Sequence, residues 1–194
     1  MENTTPRTDP RVLRTRELLR NALIELLEEM DVQKISVNRI AERAKINRVT
    51  FYLHYRDIPD MLEKLADDMV EDINQVVHSN YKRKSETGIQ EDWPVLESLL
   101  KHIAENAKFY KVVFTSRRST IFTDRLFSLM AEMISARVNG KEISVGQSNV
   151  TIQKDIAVWY GSAALIGTIV AWLRNDMPYT PAYLARQITS LRAQ

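Results

Sequence analysis

Cysteine is absent from this 194-residue chain, and glycine and proline are scarce, with five and six residues respectively. The lack of cysteine excludes disulfides, thiolate zinc sites and thiol chemistry, and it fits a reducing compartment such as the cytoplasm. The shortage of glycine and proline argues against a turn-rich β fold and favours long helices. Hydrophobic residues at 44% and charged residues at 27% are ordinary for a globular protein.

The motifs that usually mark an enzyme are missing as well. The three histidines, His54, His78 and His102, are scattered and form no pair at metal-ligand spacing. The chain has no glycine-rich phosphate loop, no G-x-S-x-G turn and no cysteine nucleophile. The sequence therefore predicts a protein that is not an enzyme and that carries no cofactor and no metal.

One long apolar run is present, IAVWYGSAALIGTIVAWL at residues 156–173, without a charged residue in 18 positions. This length reaches the lower limit for a membrane-spanning helix. The run contains glycine, serine, threonine and tyrosine, and the other helical patterns are amphipathic, so burial in a core or a subunit interface is the simpler interpretation. The polar N-terminus MENTTPRTDP has no apolar core of a signal peptide. We expect a cytoplasmic protein with no membrane association.

Apolar residues recur at three- and four-residue spacing along most of the chain, which predicts an all-α fold. The first helix covers residues 11–29, and Ser36, Asn47 and Asp57 are expected to cap the next three helices. The polar stretch YKRKSETGIQED at 81–92 is predicted to end the fourth helix as a linker. Further helical segments are predicted from Asp92 and Pro94, at 109–114, at 120–138, at about 151–175 and from Pro181, with a loop at 139–149.

Positive charge is concentrated in the first third of the chain. Between residues 33 and 56, six cationic residues accompany a single acidic residue, Glu42, and five arginines lie within residues 7–20. A block of this kind suggests a polyanionic partner, although a solvated helix face has the same composition.

The segment NRVTFYLHY, residues 47–55, follows a break at Lys45-Ile46 between two short helices. Three short helices with such a break match a helix-turn-helix arrangement, in which the third helix enters the DNA major groove. Helical spacing places Arg48 with Tyr52, Thr50 with His54, and Phe51 with Tyr55. We expect Phe51 to pack inward, while the polar groups of Arg48, Thr50, Tyr52 and His54 form a contact surface for phosphates and base edges.

The segment SVNRIAERAKINRVTFYLHYRDIPDML, residues 36–62, resembles the DNA-binding part of TetR/AcrR-type transcriptional regulators. In that family a capped helix with an I-A-x-x-A core precedes a turn, a T-F-Y motif and a polar residue that opens the fourth helix. The segment WYGSAALIGTIVAWLRNDMPYTPAYLARQI, residues 159–188, resembles one C-terminal subgroup, in which a glycine-dotted helix is followed by a last helix that starts at proline.

This resemblance implies a helix-turn-helix DNA-binding domain at residues 1–57 and a helical effector-binding and dimerisation domain at 58–194. Lys45 replaces the usual glycine of the turn, and Ile58 replaces a common phosphate-contacting lysine, for which Arg56 is expected to substitute unless the contact is missing. The residues implied to contact double-stranded DNA are Asn38, Asn47, Arg48, Val49, Thr50, Tyr52, His54 and Arg56.

The resemblance also implies a homodimer, because one short recognition helix needs a second copy to read a palindrome. Small residues in the apolar run allow helices to approach closely. The alternative is that this run forms the centre of a monomeric bundle. The residues predicted for the dimer interface are Gly161, Ala164, Leu165, Thr168, Trp172, Leu184 and Ile188.

An unknown small-molecule effector is the third implied partner, and it would act by binding one dimer conformation more tightly than another. Aromatic residues at helical spacing are also the pattern of an ordinary core. The residues predicted to line the effector pocket are Trp93, Phe109, Tyr110, Phe114, Phe122, Phe127, Met130 and Trp159.

The sequence thus predicts a TetR-type regulator, most simply a repressor, that binds a palindromic operator as a dimer and is released or modulated by an effector. Two alternatives stay open. The chain could be an all-helical protein-interaction module whose basic part binds an acidic protein, or an activator controlled by a protein partner.

Overall fold

The computed structural model of the chain describes residues 9–87, 93–115, 120–138 and 152–192. Within these ranges the regular secondary structure consists of nine α-helices and one short 3-10 turn, and no strand is present. The predicted all-α fold is confirmed.

The helices are named in chain order. Their bounds are α1 Pro10–Glu29, α2 Val37–Arg43, α3 Arg48–Tyr52, α4 Ile58–Thr87, α5 Trp93–Glu105, α6 Ala107–Thr115, α7 Ile121–Val138, α8 Lys154–Arg174 and α9 Pro181–Arg192. A 3-10 turn that the sequence did not predict, Val32–Lys34, lies between α1 and α2. Residues 139–149, predicted as a loop, lie outside the described residues.

The predicted end of α4 is wrong, because the helix continues through Thr87 into the stretch expected to be a linker. The polar composition of residues 81–92 suggests a loop, but lysine, arginine and glutamate are also good helix formers. The stretch contains no glycine before Gly88 and no proline, so nothing in it breaks the helix earlier.

The chain forms two compact units, Met1–Leu65 and Ala66–Gln194. The first unit holds α1 to α3 and the first two turns of α4, and the second holds the remainder. The domain boundary predicted after residue 57 was placed at the start of α4, whereas the observed division falls inside that helix.

Side-chain caps set the starts of the short helices in the first unit, as predicted. Ser36 Oγ accepts from the Arg39 backbone N–H at 3.3 Å, and Asn47 Oδ1 accepts from the Val49 N–H at 2.8 Å. Asp57 Oδ1 accepts from the Asp60 N–H at 2.8 Å. Each cap satisfies an amide that has no partner within its helix, and so fixes where that helix begins.

The turn between α2 and α3 depends on Lys45, which has a φ of 55°. This left-handed conformation lets the Ile46 N–H donate to the Ala41 carbonyl at 3.0 Å and reverses the chain. Glycine is the residue that adopts this φ without steric cost, so the lysine side chain is held here under local strain.

A small apolar core anchors α3 in the first unit. Phe51 is fully buried, as predicted, and so are Leu19, Leu23 and Ile40. The rings of Phe51 and Tyr55 lie 5.6 Å apart between centroids, and Tyr55 is buried as well. One side of α3 is thus fixed against the core, which leaves its opposite side facing outward.

The second unit is a helical bundle in which α5 packs against α9, and α8 packs against α6 and α7. Its fully buried side chains include Leu100, Ile103, Tyr110, Phe122 and Leu126. Asp67 at the start of its α4 segment pairs with Arg125 of α7 at 3.1 Å. Among the described helices, α8 alone is long and apolar enough to cross a membrane by length and composition, a test that the core helix of a soluble protein also passes.

Candidate nucleic-acid interface

The outward side of α3 carries a mixed polar and apolar surface. Arg48, Val49, Tyr52 and Leu53 are exposed, while Phe51 beside them is buried. Exposed large apolar side chains on a short helix are unfavourable in water unless a partner covers them. This face therefore has the composition of a contact surface.

Arg48 and Tyr52 contact each other on this surface. Arg48 Nη2 donates to the Tyr52 hydroxyl at 3.2 Å, and the guanidinium lies 5.4 Å from the centroid of the Tyr52 ring. The predicted shared face of these two residues is confirmed. A guanidinium held on an aromatic ring keeps several donors for a planar acceptor pair, such as O6 and N7 of guanine.

His54 lies at the end of α3 among cationic groups. Its side chain is half-buried, and burial lowers the pKa of His54, with further lowering by Arg16 of α1 and Lys64 of α4. Its backbone carbonyl accepts from Lys64 Nζ at 3.1 Å. A ring in this setting is neutral above its lowered pKa, and a nearby anion would favour its protonation.

The remaining predicted contact residues lie around the same helix. Asn47 is exposed, and because its Oδ1 serves as the α3 cap, its amide group is left as the donor. Thr50 is half-buried, and Asn38 is exposed in the first turn of α2. Asn38 lies on α2, Thr50 lies on α3 and Asn47 caps α3, so the structure places these residues on the two short helices of the first unit.

Arg43 belongs to the internal structure of the first unit rather than to the interface. Its two terminal nitrogens bind Glu29 at 2.8 Å each, and one also reaches Glu25 at 3.3 Å, so α2 is tied to α1. The hydrogen bonds that Arg43 donates to Glu29 and Glu25 raise the pKa of Arg43, and the pKa of Glu29 is lowered in turn. One of the six cations counted in the basic block is thereby neutralised.

The other cations of the block are exposed. They are Lys34, Arg39, Lys45, Arg48 and Arg56. The Arg39 guanidinium makes a long contact of 3.8 Å with the sulfur of Met30. Five of the six cations of the block are therefore exposed on the first unit. This concentration of positive charge favours association with a polyanion.

At the start of α4, the buried carboxylate of Asp60 binds two cations, Arg56 of the basic block and Lys64 of α4. It accepts from the Arg56 backbone N–H at 3.0 Å, from Arg56 Nε at 3.3 Å and from Lys64 Nζ at 3.0 Å. The Arg56 backbone N–H, followed by the Lys64 hydrogen bond, lowers the pKa of Asp60. Ile58, at the position of the common lysine, is half-buried and supplies no donor.

Sequence reasoning missed Leu53 and Arg16. Leu53 is 77% exposed, more than Val49 at 66%, yet a leucine four residues after a valine is normally interpreted as core. The signal that could have identified it is the buried Phe51, since one helix face cannot hold both. Arg16 was counted in the arginine-rich segment at 7–20, but its proximity to His54 follows only from the packing of α1.

The residues predicted for an effector pocket mostly form the core of the second unit. Phe109, Tyr110, Phe114, Phe122 and Met130 are buried, whereas Phe127 and Trp159 are exposed. The rings of Phe109 and Phe122 meet edge to face at 5.7 Å, and the ring nitrogen Nε2 of His102 lies 2.8 Å from the Tyr110 hydroxyl oxygen. Nothing is described of the Trp93 side chain.

The residues predicted for a dimer interface also divide. Leu165, Trp172 and Leu184 are buried within their own subunit, Thr168 and Ile188 are half-buried, and Ala164 is exposed. A Cβ placed on Gly161 would lie 3.1 Å from Ile134 of α7, so this glycine permits α8 to approach α7. The stripe of α8 that faces outward includes Ala164 but none of the other predicted interface residues; it is formed by Ile156, Trp159, Tyr160, Ala163, Ala164, Gly167 and Ala171.

Three comparisons with known proteins bear on this arrangement. Residues 91–194, more than half of the chain, match the TetR-family model described as "Transcriptional regulator C-terminal region". The chain is also 23% identical over 176 residues to the uncharacterized HTH-type transcriptional regulator YxbF of Bacillus subtilis. That alignment covers 91% of this chain and 44% of YxbF, so the chain spans less than half the length of this curated relative.

Solved structures share the fold. A TetR transcriptional regulator from Streptococcus agalactiae is 23% identical, with a TM-score of 0.67 over 94% of this chain and 96% of that chain. The dihydroxyacetone kinase operon activator DhaS is 20% identical, with a TM-score of 0.57 over 91% of this chain and 93% of that chain. The relatives are transcriptional regulators rather than enzymes, and the described residues contain no cluster of three histidine, aspartate or glutamate side chains that could hold a metal ion. From the family match and the shared all-helical architecture, the chain belongs to the TetR family of transcriptional regulators.

Proposed function

We propose that this regulator binds a palindromic operator in double-stranded DNA as a homodimer and represses transcription from it. The observation that carries the proposal is the exposed side of α3, where Arg48 and Tyr52 stand beside Val49 and Leu53 while Phe51 is buried behind them. This face combines a guanidinium for base edges, a phenol for phosphate and apolar groups for thymine methyls.

In this proposal the eight predicted contact residues divide into two roles. Arg48 and Val49 read bases in the major groove, because they open the helix that would enter it. Asn38, Asn47, Thr50, Tyr52, His54 and Arg56 contact the sugar-phosphate backbone and fix the position of α3. Leu53 joins Val49 as an apolar reader, since the two lie one helical turn apart and are both exposed.

A dimer is required because α3 spans only five residues, Arg48–Tyr52, and can reach few base pairs. Two copies whose recognition helices are about 34–36 Å apart would read successive major grooves of a palindrome. We propose that the outward stripe of α8 forms the interface, with Ala164 and Gly167 at its close approach. The predicted residues Leu165, Trp172 and Leu184 would support this helix from within the subunit.

The stripe is suited to that role by its composition. It is free of charge from Ile156 to Ala171, and it carries the exposed aromatic residues Trp159 and Tyr160. Aromatic residues are enriched and charged residues depleted at the centres of protein interfaces. A solvated helix face would instead be expected to carry charged side chains.

For the effector we propose a small molecule that enters the second unit at its aromatic cluster. The cluster is packed by Phe109, Tyr110, Phe114 and Phe122, so a ligand has to shift these rings in order to bind. Such a ligand would regulate DNA binding only if its affinity differs between the conformations of the dimer. We further propose that the protein acts in the cytoplasm and has no catalytic activity.

Activation is the second candidate for the sign of regulation, because DhaS, which shares this fold, is titled an operon activator. Repression and activation use the same DNA contacts and differ in where the operator lies relative to the promoter. A reporter gene with the operator placed over or upstream of a promoter distinguishes the two, since a repressor lowers expression and an activator raises it.

The experiment that tests DNA binding is a selection of bound duplexes from a random pool, followed by sequencing. The proposal expects an inverted repeat whose half-sites are about one helical turn apart, bound about 10³-fold or more tightly than random DNA. Equal binding of all duplexes would favour the module that binds an acidic protein. A wild-type protein that binds no duplex at low salt would overturn the proposal.

A further inference from the structure

The carboxylate of Asp60 lies buried beneath a cation that is almost fully exposed. The Asp60 side chain is 8% exposed and the Arg56 side chain is 81% exposed, although the two are linked by two hydrogen bonds. A surface arginine usually samples many rotamers, because a solvated ion pair gains little. Here the acceptor is fixed by the fold, so the arginine is held from one side.

The hydrogen bonds to Asp60 use one edge of the Arg56 guanidinium and leave its other donors available. Arg56 donates through its backbone N–H and through Nε, and within the described part of the chain its two terminal nitrogens have no hydrogen-bond partner. A guanidinium bound in this way presents a pair of parallel donors to a planar or tetrahedral anion. Lys64, by contrast, spends its ammonium on Asp60 and on the His54 carbonyl.

Capping of α4 accounts for only part of this arrangement, because an acidic side chain at the third helical position often accepts from a backbone N–H near the cap, but Asp60 also binds Nε of Arg56. Asp57 already caps the helix by accepting from the Asp60 N–H at 2.8 Å. Asp60 then reaches back to the residue before the cap rather than to another amide of the first turn. The result is a connection between the end of α3 and the start of α4 that carries a cation on its outer side.

We propose that Asp60 is a positioning residue that presents the Arg56 guanidinium to a phosphate of the DNA backbone beside α3. The inference rests on the proposed DNA binding and assigns Asp60 a role in it. An arginine that is already held loses less side-chain entropy when it meets a phosphate. The carboxylate itself stays behind the guanidinium, so the phosphate meets the cation first.

The inference predicts an effect that opposes simple electrostatics. Removal of a negative charge near DNA should strengthen binding, because the phosphate backbone repels carboxylates. Asp60→Asn should instead weaken binding, since Arg56 is released. Glu63→Gln is the matched control, because Glu63 is an exposed carboxylate of α4, three residues after Asp60 and therefore on the neighbouring turn.

A double-mutant cycle tests the inference with Asp60→Asn, Arg56→Ala and the double variant in the full chain. The probe is a labelled random-sequence duplex of about 30 base pairs, long enough for two half-sites one turn apart. Affinity is measured over a series of KCl concentrations, and thermal unfolding is followed separately. We expect Asp60→Asn to bind roughly threefold to tenfold more weakly, with a salt slope shallower by about one or two for the dimer.

In the Arg56→Ala background, Asp60→Asn should weaken binding no further, and Glu63→Gln should leave the salt slope unchanged. A variant that only loses stability would have a lower unfolding temperature, but the salt dependence of DNA binding by its folded form would be unchanged. The inference is overturned if Asp60→Asn binds as Glu63→Gln does, or if the two losses in the cycle simply add. Wild-type protein that ignores the duplex at low salt would overturn DNA binding itself.

If Asp60→Asn does not fold, the Arg56→Lys variant tests the same inference. Lysine keeps the positive charge but has no Nε–H to bind Asp60 and offers no pair of parallel donors. We expect the same threefold to tenfold loss, with normal thermal unfolding. Binding equal to that of the wild type would show that the held guanidinium is not used.

Discussion

The guanidinium of Arg48 rests on the ring of Tyr52, and its Nη2 donates to the Tyr52 hydroxyl at 3.2 Å. The two residues lie one helical turn apart on the outward side of α3. The contact narrows the orientations of Arg48 before any partner arrives. In the proposed complex, the Tyr52 hydroxyl keeps the capacity to bind a phosphate while Arg48 contacts a base.

Arg48→Ala is expected to weaken binding to the selected operator by roughly 1–3 kcal/mol and to relax base preference at one position of each half-site. The physical reason is the loss of a bidentate contact with one base. Fluorescence anisotropy against the operator and its single-base variants measures both effects. Arg174→Ala, which removes an exposed cation at the end of α8, is the control. Unchanged preference at every position would remove Arg48 from base reading.

Leu53→Ala should reduce the preference for thymine at one position, because Leu53 and Val49 are the exposed apolar groups of the recognition segment. The stability of the protein should change little, since Leu53 is mostly exposed and its truncation loses little buried area. Replacement of individual thymines by uracil in the operator removes only the methyl group. At the contacted position the substitution should weaken wild-type binding but leave Leu53→Ala unaffected. A wild-type protein insensitive to every such replacement would contradict an apolar contact.

DNA affinity is expected to rise as the pH falls from about 7.5 to 6. Burial, Arg16 and Lys64 lower the pKa of His54 from its ordinary value of 6.5, so the ring is neutral in the unbound protein at neutral pH. Phosphates in the complex would raise that pKa, and binding would then take up a proton, which low pH favours. His54→Gln should flatten the profile, and His78→Gln in the second unit should not. An unchanged profile in His54→Gln would contradict a phosphate role.

The pH dependence that His54 contributes to folding stability is opposite in sign to the one it contributes to DNA affinity. Its pKa is lower in the folded chain than in the unfolded chain, so its contribution favours the folded state above about pH 6.5 and is lost as the pH falls. Thermal unfolding of His54→Gln should therefore depend less on pH between about 5 and 7 than that of the wild type. The two readouts separate binding from stability.

Lys45→Gly is expected to raise the free energy of unfolding, by up to about 1 kcal/mol. The φ of 55° at Lys45 costs a side-chain-bearing residue about 1–2 kcal/mol, part of which is offset by the greater freedom of glycine in the unfolded chain. Lys45→Ala removes the same charge but keeps the Cβ, so it serves as the control. Denaturant unfolding should show Gly more stable than Ala. An alanine variant of equal stability would mean that the turn is not strained.

Ala164→Glu should split the homodimer, because it places a charge on the outward stripe of α8. Light scattering should then report half the mass, with helix content unchanged. Ser128→Glu, at an exposed position of α7, is the control. Leu165→Glu is not informative, since Leu165 is buried and its replacement would unfold the subunit. A dimer that survives Ala164→Glu would place the interface elsewhere.

Local patterns predicted the helices well, because capping and amphipathic spacing act over a few residues. Ser36, Asn47 and Asp57 cap the helices that were expected to follow them, and Phe51 is buried as its position among polar rings suggested. The end of α4 was predicted wrongly for the same reason, since polar helix formers and polar linkers have the same composition in a short window. Family resemblance added the prediction that residues 36–62 bind DNA, which charge and spacing alone left open.

The sequence by itself determined most of the helical segments, where the basic block lies, and that residues 47–54 carry polar groups of the kind that contact DNA. Tertiary structure alone decided that Arg43 is paired with Glu25 and Glu29. It also decided that Leu53 is exposed, and that Leu165 and Trp172 are buried within the subunit. The physical reason is that side-chain exposure and ion pairing depend on what packs against each helix. That neighbour comes from a distant part of the chain, which no local pattern records.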